Sequence, residues 1–454
     1  MRITIVGGGK VGFALAKDLM SEKHQITVID PDESVVERIS NSLDVICYLG
    51  NGASFSVLQE VGIDKCDLLI AVTASDELNM LACLSAHKLG AKHAIARVRN
   101  PEYSEQLYAL KDDLGLSMVV NPEKAAAEEI ARTLRFPAAT GVELFARGRV
   151  ELVSCRLPKG NVLDGKSLID VRGKMGLHVL ICAVDRGGEL IIPNGTFVLR
   201  EGDMIYLTGA PKEIFQAFRT TKLLATPVRN VMISGSGRIT YYLYRELEKH
   251  KINIKIIEPS KEIAEDLADQ LSDAVILRGD VSDHEFLLEE GIAKTDAFVA
   301  LTDLDEANIL SALYARQNKV PKVIAKIDRD NMKRMTGDLG IETAVSPHMV
   351  TANHILRYVR ALADSESSAN ILSLYKILDG RAEVLEFVAE DDIPELTNVP
   401  LKDLPTKKNL LIACIVRGDE AIIPGGGDCI LPGDTVLIVT SNHQLSSLDD
   451  IIEG

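Results

Sequence analysis

The stretch Ile5-Val6-Gly7-Gly8-Gly9-Lys10-Val11-Gly12 decides how the rest of the chain is read. An apolar run, Ile3–Val6, ends in glycine, and the spacing Gly7-x-Gly9-x-x-Gly12 leads into apolar residues at helical intervals, Val11, Leu15 and Leu19. Alone, such spacing is weak evidence. Here it joins a strand to a helix, and Asp30 closes the next apolar run, Thr27-Val28-Ile29. That context is the dinucleotide-binding fingerprint. Gly7 permits the tight turn, Gly9 lets backbone approach a pyrophosphate, and Gly12 lets helix pack closely on strand. The positive helix start receives the phosphates, and Asp30 accepts ribose hydroxyls. Pro31 and Asp32 follow with no Arg or Lys for a 2′-phosphate, which favours NAD over NADP and leaves ATP and ADP compatible. A glycine turn that holds no ligand is the alternative these residues leave open.

The same stretch returns 228 residues later as Ile233-Ser234-Gly235-Ser236-Gly237-Arg238-Ile239-Thr240, and Asp30 returns as Glu258. Thr73-Ala74-Ser75-Asp76-Glu77-Leu78-Asn79 returns as Thr302-Asp303-Leu304-Asp305-Glu306-Ala307-Asn308, and Ile95-Ala96-Arg97-Val98 as Ile324-Ala325-Lys326-Ile327. Pro193-Asn194-Gly195 with Gly202-Asp203 matches Pro424-Gly425-Gly426 with Gly433-Asp434. Matches in one order at a nearly constant offset mean a duplicated unit.

Within each copy, apolar runs first alternate with helical patterns. In copy one these strands read Ile3–Val6, Ile26–Ile29, Val45–Leu49, Leu68–Val72, Ala94–Val98 and Met118–Val120. This predicts an α/β, doubly wound parallel sheet of Rossmann type. A helix over Glu123–Leu134 then leads to a small β-rich domain with strands at Val150–Cys155, Val179–Val184, Leu190–Ile192 and Met204–Thr208. Copy two predicts a helix at His348–Ala363, a polar break at Asp364–Ser368, and strands at Leu372–Ile377, Ala382–Val388, Leu411–Val416 and Val436–Val439. The expected division is 1–121 Rossmann, 122–139 linker helix, 140–224 small domain, 225–346 Rossmann, 347–368 linker helix and 369–454 small domain, with Thr221–Pro227 between the copies.

Composition narrows the classes. The chain has 454 residues, a net charge of −16, no Trp and 4% aromatic residues. Both nucleic acid and anionic lipid would be repelled, and base stacking is not provided for. The seven cysteines show no CxxC, so neither a disulfide framework nor a zinc site is expected; they read as buried hydrophobes in a reducing cytosol. No apolar run is long enough to span a bilayer, and Met1–Val6 enters a strand with no room for a signal peptide, so a cytoplasmic location without membrane insertion is expected.

Thr73 and Ala74 end the fourth strand, at the carboxyl edge where ligands bind in open α/β sheets. Arg97 ends the fifth strand on that edge, where a cation would face phosphates; a solvated arginine is the alternative. Asp76 and Asn79 read equally as cap and opening of the next helix. A dehydrogenase needs a proton donor or acceptor facing the nicotinamide. The small domains offer only His178 in copy one and His443 in copy two, at unmatched positions. His24, His87 and His93 read as solvated. No catalytic residue is assigned, which speaks against the competing reading, a tandem NAD-dependent oxidoreductase.

With these residues in place, the chain resembles the Trk-type potassium-uptake regulatory subunits, built of tandem RCK modules. The resemblance covers nearly the whole chain. It implies a non-enzymatic, cytoplasmic peripheral subunit that forms a homo-oligomeric ring, a dimer of tandem chains or larger, under an integral membrane potassium transporter. It implies NAD+, NADH, ATP or ADP bound at Gly7, Gly8, Gly9, Lys10, Val11, Gly12, Asp30, Thr73, Ala74 and Arg97. In copy two the matching contacts fall on Gly235, Ser236, Gly237, Arg238, Ile239, Glu258, Thr302, Asp303 and Lys326. Family members often carry Gly-Asp after the third strand; copy two keeps Gly279-Asp280, and copy one has Asn51-Gly52 instead.

Overall fold

The structure is a computed structural model, described for all residues except 137, 224–227, 342, 367–370, 378–380, 390–392, 394, 442–444, 446 and 454. The segment at Thr221–Pro227 and the polar break at Asp364–Ser368 therefore lie partly outside the described residues, and His443 wholly so.

Strands β1 (Arg2–Val6), β2 (Gln25–Asp30), β3 (Ile46–Leu49), β4 (Leu68–Ala71), β5 (His93–Arg97) and β6 (Met118–Val120) form one parallel sheet in the order β3-β2-β1-β4-β5-β6. Each predicted strand lies within a residue or so of its observed span. The central strands are apolar on both faces because helices cover both; every residue of β4 is buried. Ile3 of β1 lies between Ile26 of β2 and Leu68 of β4. Strand order reverses between β1 and β4, which opens a crevice at their carboxyl ends.

The second half repeats this sheet with β12 (Asn230–Ser234), β13 (Asn253–Glu258), β14 (Ala274–Arg278), β15 (Ala297–Ala300), β16 (Lys322–Lys326) and β17 (Thr343–Val345), in the order β14-β13-β12-β15-β16-β17.

Each small domain is a five-stranded antiparallel sheet. The first, ordered β10-β9-β11-β8-β7, uses β7 (Ala139–Phe145), β8 (Val150–Arg156), β9 (Leu180–Arg186), β10 (Glu189–Ile191) and β11 (Met204–Gly209). The second, ordered β18-β19-β22-β20-β21, uses β18 (Ile371–Ile377), β19 (Ala382–Val388), β20 (Leu410–Arg417), β21 (Glu420–Ile422) and β22 (Thr435–Thr440). The repeated Gly-Asp pair has a structural task. Asp203 takes two hydrogen bonds from the Arg186 guanidinium, each 2.8 Å, and a third from the Arg200 amide. Asp434 holds Arg417 and the Leu431 amide in the same way.

The linker helices do more than connect. In the first, Pro122–Arg135, the side chains Ala125, Ala126, Ala127, Ile130 and Leu134 lie in the core of the second Rossmann domain, with Val231, Leu243 and Leu247. In the second, Pro347–Glu366, Ala352, Ile355, Leu356 and Val359 lie in the core of the first, with Ile3, Leu15 and Leu19. Each half thus completes the other's core. The alanines permit it, since their short side chains let the helix sit close to its neighbour. The small domains also share a core, with Phe145, Leu152 and Cys182 against Val384, Cys414 and Val439. Ion pairs Arg149–Asp419 (2.5 Å) and Arg381–Asp185 (2.7 Å) flank it.

None of the seven cysteines is joined in a disulfide, and five are buried. His24 and His93, expected in solvent, are instead half-buried and hydrogen-bonded to the terminal amine and to Ser117.

Ile130→Ala empties part of the second Rossmann core from the first half's helix and is expected to cost about 2–5 kcal/mol. Urea unfolding with limited proteolysis checks it: new cleavage belongs in residues 228–341, far along the chain from the substitution.

Candidate functional site

The first glycine turn is shaped by close approach. Gly7 has φ +103°, and a Cβ there would stand 3.0 Å from the Thr73 amide nitrogen. A Cβ on Gly12 would fall 1.9 Å from the Gly7 carbonyl oxygen. Gly9 faces open space, with nothing within 4 Å of its Cβ position. Gly7 thus serves the turn and Gly12 the packing, while Gly9 leaves the backbone open.

The helix that follows, Lys10–Ser21, has no side-chain cap and no carboxylate in its first turn. The helices that begin after Asp32, Ser75, Asn100 and Asn121 are all capped by those side chains. Uncapped amides at a positive helix end suit an anion. Lys10 is exposed beside them, while Gly8 and Val11 are buried. The Asp30 carboxylate accepts from the Gly8 amide at 2.7 Å and from the Asp32 amide at 2.9 Å. It thereby ties the end of the second strand to the glycine turn.

Arg38 escaped the sequence reading. Its guanidinium donates to the Gly8 carbonyl at 2.9 Å from the helix Glu33–Ser42, and copy two has Asp266 at that position. Nothing in the fingerprint marks a residue eight positions past Asp30.

The carboxyl edge of the sheet is stitched by one buried amide. Asn79 Oδ1 accepts from the Thr73 amide (2.8 Å) and hydroxyl (2.7 Å), and its Nδ2 donates to the Arg97 carbonyl (2.8 Å). Ser75, not Asp76, caps the next helix. Asp76 accepts instead from the Arg99 and Asn100 amides, both at 2.8 Å. Asp76 and Asn79 therefore hold the edge in shape and leave Ala74 exposed on it. Arg97 is not a solvated arginine; it is half-buried and donates to the Thr73 carbonyl at 2.5 Å. Burial pushes its pKa down, and Arg99 and Arg238 push it the same way.

Copy two builds the same site with changed residues. Gly235 has φ +99°, and Gly237 faces open space. Ser236 is half-buried between them, Arg238 exposed and Ile239 buried. Its helix, Arg238–Glu248, likewise lacks a side-chain cap and first-turn acid. Thr240, at the third glycine position, is buried, and its hydroxyl donates to the Gly235 carbonyl at 2.7 Å. Glu258 is buried and accepts from the Ser260 amide at 2.8 Å. Asn308 repeats the stitch between Thr302 and Lys326. The exposed Asp303 pairs with Lys326 at 3.4 Å. Asp280 turns inward on its own loop, accepting from the Ser282 amide at 2.8 Å; Asn51 does the same for Ala53 at 3.0 Å, so the missing acid of copy one leaves the turn intact.

The two halves touch beside the carboxyl edge of the first sheet, where the Tyr242 hydroxyl donates to the Arg99 carbonyl at 3.5 Å. The charge of Arg238 in copy two acts on Arg97 of copy one. The Asp328 carboxyl is held below its usual range, first by a hydrogen bond from His348, then by Lys326 and by Lys10 of copy one. The Tyr242 hydroxyl accepts from Asn121 at 2.9 Å across the same boundary. No group of three metal-ligating side chains gathers among the described residues, and no described helix is long and apolar enough to cross a membrane.

A Rossmann domain followed by a small antiparallel domain, duplicated in one chain, defines the class: paired RCK-type units. Their fold is that of the GsuK RCK domain (TM-score 0.62, 19% identity, 98% of this chain and 93% of that one). It is also that of the GsuK channel bound to NAD (TM-score 0.62, 20% identity, 99% and 78%). Residues 3–122 and 231–347 match the TrkA-N domain, and 152–221 and 385–453 match the TrkA-C domain. The chain is 34% identical over 452 residues to the Trk system potassium uptake protein TrkA homolog of Archaeoglobus fulgidus, covering 99% of this chain and 100% of that protein. It is 31% identical to the Trk system potassium uptake protein TrkA of Vibrio alginolyticus, covering 98% and 97%. This chain belongs to the TrkA family of potassium-uptake proteins.

Two substitutions separate packing from approach. Gly12→Ala meets the Gly7 carbonyl and is expected to destabilise by about 1–3 kcal/mol, whereas Gly9→Ala leaves the melting temperature near that of the wild type. Asn79→Ala strands the Thr73 amide and the Arg97 carbonyl, costing about 1–3 kcal/mol in denaturant titration. A neutral Asn79→Ala variant contradicts its assignment as the stitch of this edge.

Proposed function

We propose that the chain is a regulatory subunit that binds NAD+, NADH or adenine nucleotides in its two glycine-turn clefts and thereby biases the gate of an integral membrane potassium transporter. The observation that carries this reading is the pair of uncapped helix starts, each following a glycine turn whose next strand ends in a carboxylate, Asp30 or Glu258, and each bearing a cation whose charge acts on the other half. A charged ligand in either cleft is felt by both halves at once. GsuK, which shares the fold, has been solved with NAD and with ADP, the ligand class these clefts suit.

In this reading Gly8, Gly9, Lys10 and Val11 hold phosphates in the first cleft, Asp30 the ribose, and Thr73, Ala74 and Arg97 the strand edge. Ser236, Gly237, Arg238 and Ile239 with Glu258, Thr302, Asp303 and Lys326 do so in the second. In this reading the clefts bind without turnover: His178 of the first small domain is matched by Asn409 in the second, so no histidine is shared there among the described residues. Nucleotide states then favour different angles between Rossmann and small domains, with a coupling of about 1–3 kcal/mol per site. Several chains in a ring under the transporter would add these increments. Leu81 and Leu310, at matched positions, are 51% and 66% exposed and offer a repeated apolar contact for such a ring.

Calorimetric titration with NAD tests the site assignment. Asp30→Ala removes the ribose acceptor and is expected to weaken the first site by about tenfold to a hundredfold. Unchanged affinity in both sites overturns the assignment of Asp30.

A further inference from the structure

Where the two linker helices cross, the halves present different residues at matched positions. Pro122 opens the first helix as Pro347 opens the second, so Glu129 matches His354 and Arg132 matches Arg357. Strand β7 matches β18 end to end, so Glu143 matches Tyr375. A perfect duplication would set like against like here.

Instead Arg357, Glu143 and Tyr375 meet, and the charges of Arg132 and Glu129 act on this group and, with Arg357, on His354. Arg357 stands 3.7 Å from the Glu143 carboxylate, whose side chain is only 13% exposed. The Tyr375 hydroxyl donates a hydrogen bond to the same carboxylate, and Tyr375 packs edge-on against Phe145. Burial pushes the Glu143 carboxyl upward, while Arg357 and Arg132 pull it down. Burial also raises Tyr375, with Glu143 and then Glu129 adding to the effect. Burial, with Arg357 and Arg132, pushes His354 down to about 4, so it is neutral near pH 7. The pairing of unlike halves therefore encloses two carboxylates, two guanidiniums and two neutral groups. Its charge balances.

Pairing like halves breaks that balance. Two first halves would bring together four carboxylates and two guanidiniums, with Glu143 facing Glu143 and no phenol between them. Two second halves would enclose two guanidiniums with no carboxylate. Either leaves net charge in a poorly hydrated place, where an unpaired ion is costly.

We infer that this cluster is a recognition surface by which each half accepts only the other half as its partner, so that the duplicated units are no longer interchangeable. Any assembly of these chains is then built from fixed first-half–second-half pairs, and differences between the two nucleotide clefts keep a fixed spatial order. The inference stands apart from the nucleotide reading, since it concerns only the crossing of the linker helices and the first strands of the small domains.

A swap of owners tests it on the full chain. Tyr375→Glu sets carboxylate against carboxylate, and Glu143→Tyr leaves two guanidiniums with Glu129 as their one remaining carboxylate; each is expected to lower the melting temperature by several degrees and to raise the mass seen by light scattering as halves separate. The double variant restores the pair with its owners exchanged, because positions 132 and 143 of the first half match 357 and 375 of the second. Its melting temperature and mass are expected to return most of the way to the wild type. If the double variant is as impaired as the two single losses combined, the residues are mere local packing and the inference fails. Should Tyr375→Glu prevent folding, Tyr375→Phe removes only the hydroxyl; a melting temperature equal to the wild type in that variant overturns the inference as well.

Discussion

The exchange of linker helices is the constraint on which the rest of this structure depends. Neither Rossmann domain closes its core with residues of its own half: Ile130 and Leu134 fill the second, and Ile355 and Val359 fill the first. Burying such side chains contributes about 1.5–3 kcal/mol each, so the two halves cannot part without exposing both cores. The same exchange sets the glycine-turn helices Lys10–Ser21 and Arg238–Glu248 against the linkers of the opposite halves.

That geometry gives the clefts a common electrostatic boundary. Charges from both halves act there: Arg238 on Arg97 at one side, and Lys10 with Lys326 on Asp328 at the other. The halves have diverged within it in compensating ways. Val6 fills the space over Gly52, where a Cβ would lie 2.2 Å from the valine methyl; copy two has Ser234 and Val281 at these positions, small over large. Such exchanges keep the packing while altering what lines each cleft.

Much of this was legible in the sequence because it is local. Central strands such as Leu68–Ala71 are apolar on both faces and bounded by turns, so their spans are read almost to the residue. The glycine spacing carries its own geometry, and Asp30 lies where the fingerprint puts it. The unread parts depend on distant partners. Strand β7 mixes Thr140, Gly141 and Glu143 with apolar residues and has a register shift, so no clean alternation marks it. Arg38 gains its position from a helix packed over the turn. Nothing in the alanine-rich run Ala125–Ala127 tells which core it enters; only the folded chain shows that it crosses to the other half.

The central claim is that a phosphate-bearing ligand rests on the main-chain amides at the glycine turns and that the crossed helices carry its presence between halves. Hydrogen–deuterium exchange of the whole chain with saturating NAD or ATP tests this most directly. Slower exchange at residues 7–12 or 235–240, together with a change in the linker helix of the opposite half, is the predicted result. If neither glycine turn changes its exchange with either nucleotide at saturation, the account is wrong.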